Sequence, residues 1–499
     1  MSNEGAPRRM DSWAKPENDR IEGKKIMYIN GLWENADKVL EVTNPANGEV
    51  IGSVPDGGRE DAARAIDAAA KAFPAWSGLT AYQRSDYLYR AHKIMMERRE
   101  DLARMMTLEQ GKPIRASRNE VGYAADFLLW YAEEAKRVYG ETIPAPRGDQ
   151  RFIVAHQPVG VVAAVTPWNY PISMLTRKIA PALAAGCTIV LKPAEATPLC
   201  AVETFKIFEE AEIPAGAVNL VTAADPVPIG AEFTSNPTVR KITFTGSTAV
   251  GKKLAADAAA QLKRVSMELG GHAPFLVFKD ADPVHAAKGA SLVKFLNTGQ
   301  ACISPNRLFV HSSIVEPFVE TLTERVTRMR GGNGMEDGIS IGPLVNEAAI
   351  AKVERQVEDA KEKGATVMCG GHRLMDDGLD KGHFYAPTVL TGVTEAMTIY
   401  REETFGPVAP VIAFDDDETA LTMANDTHYG LAAYVYTNNI SRAMRMFEGL
   451  RFGIVGINDI NPTAAAAPFG GAKESGLGRE GGREGIVEYL ETKLGGFSV

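Results

Sequence analysis

The stretch Phe295-Leu-Asn-Thr-Gly-Gln-Ala-Cys302-Ile-Ser-Pro-Asn-Arg307 sets a single cysteine among small and polar residues. Apolar runs flank it, Ala290-Ser-Leu-Val293 before and Leu308-Phe-Val310 after. The pattern predicts a helix, a tight loop carrying a thiol, and then a strand. A thiol on a loop between regular elements is better placed to react than one inside an apolar run, the setting read for Cys187 and Cys369. Free cysteines are also commonly inert small hydrophobes, so this stretch alone does not decide between the two.

Four other places carry polar groups suited to chemistry. In Met267-Glu268-Leu-Gly-Gly271 a carboxyl stands beside a leucine and two glycines. Burial there would raise its pKa and suit it to general-base work, whereas exposure would make it a turn residue. Asn169, between Trp168 and Tyr170-Pro171, has an amide that can donate to a developing oxyanion or cap a helix. Gly246-Ser247-Thr-Ala-Val-Gly251 follows a predicted strand and precedes a helix, where glycines let a phosphate approach backbone N–H groups. Its spacing is neither the GxGxxG fingerprint nor a Walker A loop, and an ordinary turn is the competing reading. Lys192-Pro-Ala-Glu195 offers an ammonium and a carboxylate for the two hydroxyls of an adenosine ribose. A carboxylate there repels a 2′-phosphate and so favours NAD over NADP; a solvated charged loop is the alternative.

The elements that must hold these residues show in the hydrophobic rhythm. Met27–Ile29 and Leu32-Trp33, joined by Asn30-Gly31, read as a hairpin. Leu40–Thr43 and Val50–Val54 read as a second pair, and Arg59 to about Val138 as helices with core-facing stripes. Arg151–His156 reads as a strand ending in a turn at Pro158-Val-Gly160. Apolar strands then alternate with helices: Val161–Val165, Cys187–Leu191, Val218–Val221 and Lys241–Phe244. That alternation predicts a parallel α/β sheet covered on both faces, with ligands at the carboxyl ends of the strands. The loops at Trp168-Asn169, Lys192–Glu195 and Gly246-Ser247 fall at those ends. A second series runs through Ala273–Phe278, the Cys302 loop, Leu308–Val310, Thr366–Cys369 and Val411–Phe414, with Asp280–Pro283 as a boundary between lobes. The alternation in Val487–Lys493 predicts a last strand free to pair with another segment or another subunit.

A chain of 499 residues with 45% hydrophobic and 23% charged residues is that of a globular protein of two to four domains. A net charge of −9 argues against a nucleic-acid binder. The four cysteines, Cys187, Cys200, Cys302 and Cys369, show no zinc or disulfide spacing, and the eight histidines show no metal motif. Residues 1–24 read as a loose polar arm without the apolar segment of a secretory signal, and no run is long enough to span a membrane. The expectation is a cytoplasmic protein without metal, nucleic-acid or membrane partners.

Together, Thr166-Pro167-Trp168-Asn169-Tyr170-Pro171, Lys192-Pro-Ala-Glu195, Phe244-Thr-Gly246-Ser247, Glu268-Leu269-Gly-Gly271, Gly299-Gln-Ala-Cys302, Glu403-Thr-Phe405-Gly-Pro407 and Pro468-Phe469-Gly-Gly471 resemble, in order, the motifs of the aldehyde dehydrogenase superfamily. The resemblance covers the chain from about residue 27 onward. It implies a Rossmann-like NAD-binding domain over 25–143 and 165–272, a catalytic α/β domain over 273–480, and a small β oligomerisation arm over 144–164 and 481–499 that builds a homodimer or homotetramer. It implies Cys302 as nucleophile, Asn169 with the Cys302 N–H as oxyanion donors, and Glu268 as the base that activates water. Lys192 and Glu195 would hold the adenosine ribose and Ser247, beside Gly246, the pyrophosphate. Glu403 and Phe405 would place the nicotinamide ribose and ring, with Thr166, Pro167, Trp168 and Leu269 lining the cofactor site. Glu268 sets the chain apart from the coenzyme-A-acylating branch, so the implied product is a free acid.

The segment Ile172–Lys178 looks like the succinate-semialdehyde dehydrogenase branch, where an arginine, here Arg177, pairs with the far carboxylate of the substrate. Tyr170, Thr463 and Phe469 would complete that pocket. Three positions depart from the branch: Leu296 where a second arginine stands, Ser304 in place of a second cysteine, and His272 after Leu-Gly-Gly. The expected substrate is a small acidic aldehyde, succinate semialdehyde first. Glutarate semialdehyde, sulfolactaldehyde, lactaldehyde and glycolaldehyde are alternatives. A catalytically idle structural relative is the competing class, which the presence of Cys302, Glu268 and Asn169 together argues against.

Overall fold

The computed structural model describes residues 27–36 and 38–499, so the expected arm over 1–24 lies outside the described residues. Asn30 and Gly31 both take positive φ (54° and 77°), the backbone a two-residue hairpin turn requires, and they join Met27–Ile29 to Leu32–Glu34 as expected. Val39–Thr43 pairs antiparallel with Val50–Pro55. Four helices follow between Arg59 and Glu134.

Two large sheets organise the rest. The first has eight strands in the order Gly476–Leu477, Arg264–Glu268, Val239–Thr245, Val161–Val165, Thr188–Lys192, Val218–Leu220, Met27–Ile29, Leu32–Glu34. Its five central strands are mutually parallel. Alternate residues serve opposite faces. Val161 and Ala163 pack into one apolar core and Val162 and Ala164 into another, which is why the strand reads as an unbroken apolar run. Arg264–Glu268 escapes that rhythm because only Val265 and Met267 are apolar, yet it pairs residue for residue with Lys241–Thr245.

The second sheet has seven strands in the order Thr366–Cys369, Thr388–Thr391, Val408–Phe414, Pro305–His311, Ala273–Val277, Ala432–Tyr436, Ile454–Ile457. All pairs are parallel except the first. Cys369 lies on this edge strand and is half-buried, not enclosed in the core as Cys187 and Cys200 are. A smaller sheet joins Leu490–Ser498, Gln150–Pro158 and Glu141–Ile143.

These pairings move several expected boundaries. The segment 144–164 divides between two sheets, since Val161–Val165 is central to the first, and Glu141–Ile143, outside that segment, pairs with Gln150–Pro158. Gly476–Leu477, expected within the catalytic domain, completes the edge of the first sheet. Asp280–Pro283 follows the first strand of the second sheet instead of preceding it, and Asp282 caps the helix Pro283–Lys294. The chain leaves the first sheet for the second through the four-residue link Leu269–His272. No helix among the described residues is long and apolar enough to cross a membrane.

Candidate active site

Strand register collects the predicted residues along one row. Lys192 pairs with Val165, Val165 with Phe244, and Thr245 with Glu268. The chain reverses direction across the sheet between Val161–Val165 and Val239–Thr245, the switch point where open α/β sheets bind ligands. Backbone bonds stitch the emerging loops. Thr166 N–H donates to the Lys192 carbonyl and Gly246 N–H to the Glu268 carbonyl, both at 3.1 Å. The second sheet meets this row from the other side, with the Cys302 and Glu403–Pro407 loops entering the amino ends of Pro305–His311 and Val408–Phe414.

The Cys302 loop is tightly held. Asn297, Thr298 and Gly299 are all left-handed (φ 48°, 60° and 77°), a costly conformation for Thr298. The Gln300 side chain anchors it, with Nε2 donating to the Asn297 and Pro343 carbonyls at 3.2 Å and Oε1 accepting from Val345 N–H at 3.0 Å. The Tyr434 hydroxyl donates to the Ile303 carbonyl at 2.9 Å. A Cβ at Gly299 would stand 2.1 Å from the Gly406 carbonyl oxygen, and one at Gly271 2.3 Å from that of Cys302. The glycines of three motifs therefore mark close approaches to this loop. Burial pushes the half-buried Cys302 thiol up to about 12, with Arg177 pulling against it.

Asn169 donates from Nδ2 to the Gln300 carbonyl at 3.0 Å, two residues before Cys302. The helix after it begins at Ser173 with Ile172 in the cap position, so Asn169 does not cap it. Glu268 is buried, and among the described residues neither carboxylate oxygen has a hydrogen-bond partner. Burial and the nearby Glu480 charge raise it well above the usual carboxyl range. A Cβ on Gly470 would come within 2.9 Å of Glu268 Oε1, which ties the Pro468–Gly471 motif to this carboxyl.

Arg177 and Lys178 sit on the helix Ser173–Ala185, every residue of which is buried. Their shared counter-ion is Glu480: Arg177 Nε lies 2.9 Å from Oε2, and Lys178 Nζ pairs with Oε1. Burial alone would push the Glu480 carboxyl up, but the two cations outweigh it and hold the group below its ordinary value. The Arg177 guanidinium lies 4.0 Å from the centroid of the Phe469 ring, and Phe469 and Glu480 exchange backbone hydrogen bonds. Tyr170 faces Lys112, whose Nζ lies 4.1 Å from its ring centroid. Thr463 turns its hydroxyl onto Asn461 Oδ1 at 3.2 Å. Leu296 is 42% exposed. His272 is buried beside Tyr400, with Nε2 2.8 Å from that carbonyl, and burial holds it neutral.

The row beside these groups has the donor set for a dinucleotide. Lys192 is buried and paired with the part-exposed Glu195. Ser247 caps the helix Thr248–Ala259 and leaves its first N–H groups at the loop mouth. Leu269 fills the space above Gly251, where a Cβ would meet its Cδ2 at 2.2 Å. Glu403 Oε1 accepts from Gly271 N–H at 2.9 Å, and the Trp168 and Phe405 rings meet edge to face at 5.6 Å. Pro167 lies between Thr166 and Trp168 on this rim. Sequence reasoning missed Lys112, Glu120, Lys178, Asn297 and Glu480. The only signal for Lys178 is a second charge in an otherwise apolar helix, and the others have none beyond their neighbouring glycines or prolines.

Known proteins carry the same pattern. The model of the aldehyde dehydrogenase family matches residues 33–494. The succinate-semialdehyde dehydrogenase [NADP(+)] of Escherichia coli K12 is 50% identical, covering 95% of this chain and 98% of its own. The glutarate-semialdehyde dehydrogenase of Pseudomonas putida is 49% identical, covering 95% and 97%. The crystal structure of succinate-semialdehyde dehydrogenase from Burkholderia pseudomallei superposes with a TM-score of 0.93 at 47% identity, covering 95% of this chain and 98% of that one. A match this long, over loops that bring a thiol, a carboxyl and an amide to the cofactor end of a parallel sheet, means that the chain belongs to the aldehyde dehydrogenase family, oxidoreductases that use a nicotinamide cofactor.

Proposed function

We propose that this aldehyde dehydrogenase oxidises succinate semialdehyde to succinate with NAD, on Cys302. The Cys302 thiolate adds to the aldehyde carbon: a C–S bond forms and the carbonyl π pair moves to oxygen. The Asn169 amide and the Cys302 N–H stabilise that oxyanion. Bound nicotinamide supplies the acceptor for the hydride that leaves as the oxyanion collapses to a thioester. Glu268 then takes a proton from water, hydroxide adds to the thioester carbon, and the C–S bond breaks to release acid and thiolate.

The observation that carries the acidic substrate is the charge count around Arg177. Two buried cations, Arg177 and Lys178, share the one Glu480 carboxylate, which leaves one positive charge of the trio unpaired. Arg177 Nη2 is buried and unpartnered among the described residues. A substrate carboxylate supplies both the missing acceptor and the missing charge. Leu296 offers no second cation, so the aldehyde's chain length is loosely set and glutarate semialdehyde is the second reading. Glu195 supports NAD, since its carboxylate repels a 2′-phosphate. The part-exposed three-stranded sheet supports a homo-oligomer, dimer or tetramer, and the two large sheets support one cofactor lobe and one nucleophile lobe.

The test is a kcat/KM panel of acidic and neutral aldehydes with NAD and NADP, for the wild type and Arg177→Leu. Acidic aldehydes are expected to lose about 10²-fold or more in the variant, neutral ones about tenfold less. Equal losses would sink the anionic pocket, and a wild-type preference for NADP would sink the ribose argument.

A further inference from the structure

Beneath the Asn169 loop lies a charged pair that the reaction above does not use. Lys112 follows the left-handed Gly111 at the end of the helix Arg99–Gln110, and Glu120 sits on the helix Ile114–Glu134. Both are buried, and they form an ion pair with each other. A buried pair of this kind contributes little net stability over apolar residues of the same volume, so its value lies in what it orients.

Each partner has a second task on the same loop. Lys112 Nζ donates to the Asn169 backbone carbonyl at 2.7 Å. Glu120 Oε1 accepts from the backbone N–H groups of Ile172 and Ser173 at 3.1 and 3.2 Å. The loop is thus gripped on both sides of Tyr170-Pro171. A third group closes the arrangement: Asn297 Nδ2 donates to the Asn169 carbonyl at 2.9 Å and to the Gln300 carbonyl at 3.2 Å. Gln300 is also the acceptor for the Asn169 side chain. Asn169 and Gln300 are therefore locked in one hydrogen-bonded ring, and the left-handed backbone at Asn297, where asparagine is tolerated, sets that amide's direction.

We propose that the Lys112–Glu120 pair, acting through the Asn169 carbonyl with Asn297, is a positioning device for the oxyanion amide. The ring keeps one Asn169 Nδ2 hydrogen on the Gln300 carbonyl and so fixes the direction of the other, which is left for the oxyanion. Neither charged residue touches substrate. The proposal rests on Asn169 being the oxyanion donor.

The test compares wild type with Lys112→Met/Glu120→Gln, which removes both charges together and leaves no lone buried ion. The readouts are the rate constant of the NADH burst, the KM for the aldehyde, and NAD affinity by fluorescence, each repeated in an Asn169→Ala background. The burst is expected to slow about 10- to 100-fold, the cost of misplacing a catalytic group by about 1 Å, with KM and NAD affinity within about twofold. In the Asn169→Ala background the same change should slow the burst less than about twofold, because no amide is left to position. A burst within about twofold of wild type, or an equal slowing in both backgrounds, would overturn the proposal. Asn297→Gly keeps the left-handed backbone, removes both amide bonds and is expected to slow the burst by a similar factor. It decides the question if the double variant does not fold. Asn169→Ala alone reads the underlying assignment: an unchanged burst there removes the oxyanion role, and the positioning role with it.

Discussion

Burial disfavours the charged form of both groups proposed for the chemistry. Burial pushes the Cys302 thiol up to about 12 and raises the Glu268 carboxyl well above its usual range. The nucleophile is the thiolate, so its fraction grows tenfold with each pH unit below the pKa. Alkylation of Cys302 by iodoacetamide in the absence of cofactor should therefore rise roughly tenfold per unit from about pH 7 to 9 without a plateau, followed by mass spectrometry of the Cys302 peptide. A plateau near neutral pH would mean that Arg177 outweighs burial. Glu268 adds a stability signature. Its folded carboxyl holds a proton more tightly than the unfolded one, so the stability it contributes is complete in acid and is lost as pH rises through the raised folded value. Glu268→Gln should match the wild type in acid and exceed its Tm at about pH 8, while keeping the NADH burst and losing about 10²- to 10⁴-fold in steady turnover. A lower Tm at that pH, or loss of the burst itself, would contradict the assignment.

At the scale of elements, the site depends on loops pressed against one another at glycines. Gly271 belongs to the link between the two sheets, and the Cys302 carbonyl lies where its Cβ would go. Gly271→Ala should cost about 1–3 kcal/mol in denaturant unfolding and displace the nucleophile, lowering kcat by more than about tenfold. A wild-type kcat would show that the loop has slack. The same loops explain what the sequence made legible. Strands buried on both faces read as apolar runs, and the runs stop where the loops begin, so Asn169, Lys192 and Ser247 could be placed at strand ends. Arg264–Glu268 was not legible as a strand because its polar positions broke the run. Nor could the role of Asn169 be chosen over a helix cap, since that depends on Gln300, 131 residues away. Lys178 and Glu480 pair across 302 residues, and Lys112 reaches Asn169 across 57. No local pattern encodes such partners, because each is fixed by which helix packs on which loop.

For the whole molecule, the least self-sufficient part is the three-stranded sheet. The last strand is Leu490–Ser498 and not Val487–Lys493, because Val487 ends the helix Gly482–Val487; it runs antiparallel to Gln150–Pro158 through nine residue pairs and so finds its first partner within the chain. Both faces of the sheet are largely uncovered in the protomer: Ile143 (44% exposed) and Leu494 (61%) lie on one, Ile153 (45%) and Phe497 (49%) on the other. Three strands need a covered apolar face to be stable, and a nine-residue edge strand invites a further strand. A second copy of the chain would meet both needs with a symmetric contact, the commonest form of homo-oligomer. Light scattering behind gel filtration should therefore give at least a dimer at micromolar concentration. Ile153→Asp/Phe497→Asp places two charges on one face of this sheet, and should shift the protein toward protomers and lower its Tm. The Cys302 alkylation rate should stay unchanged, since neither residue lies near that loop. A wild type that runs as a protomer, or a double variant with the wild-type mass and Tm, would mean that this sheet meets solvent and not another subunit.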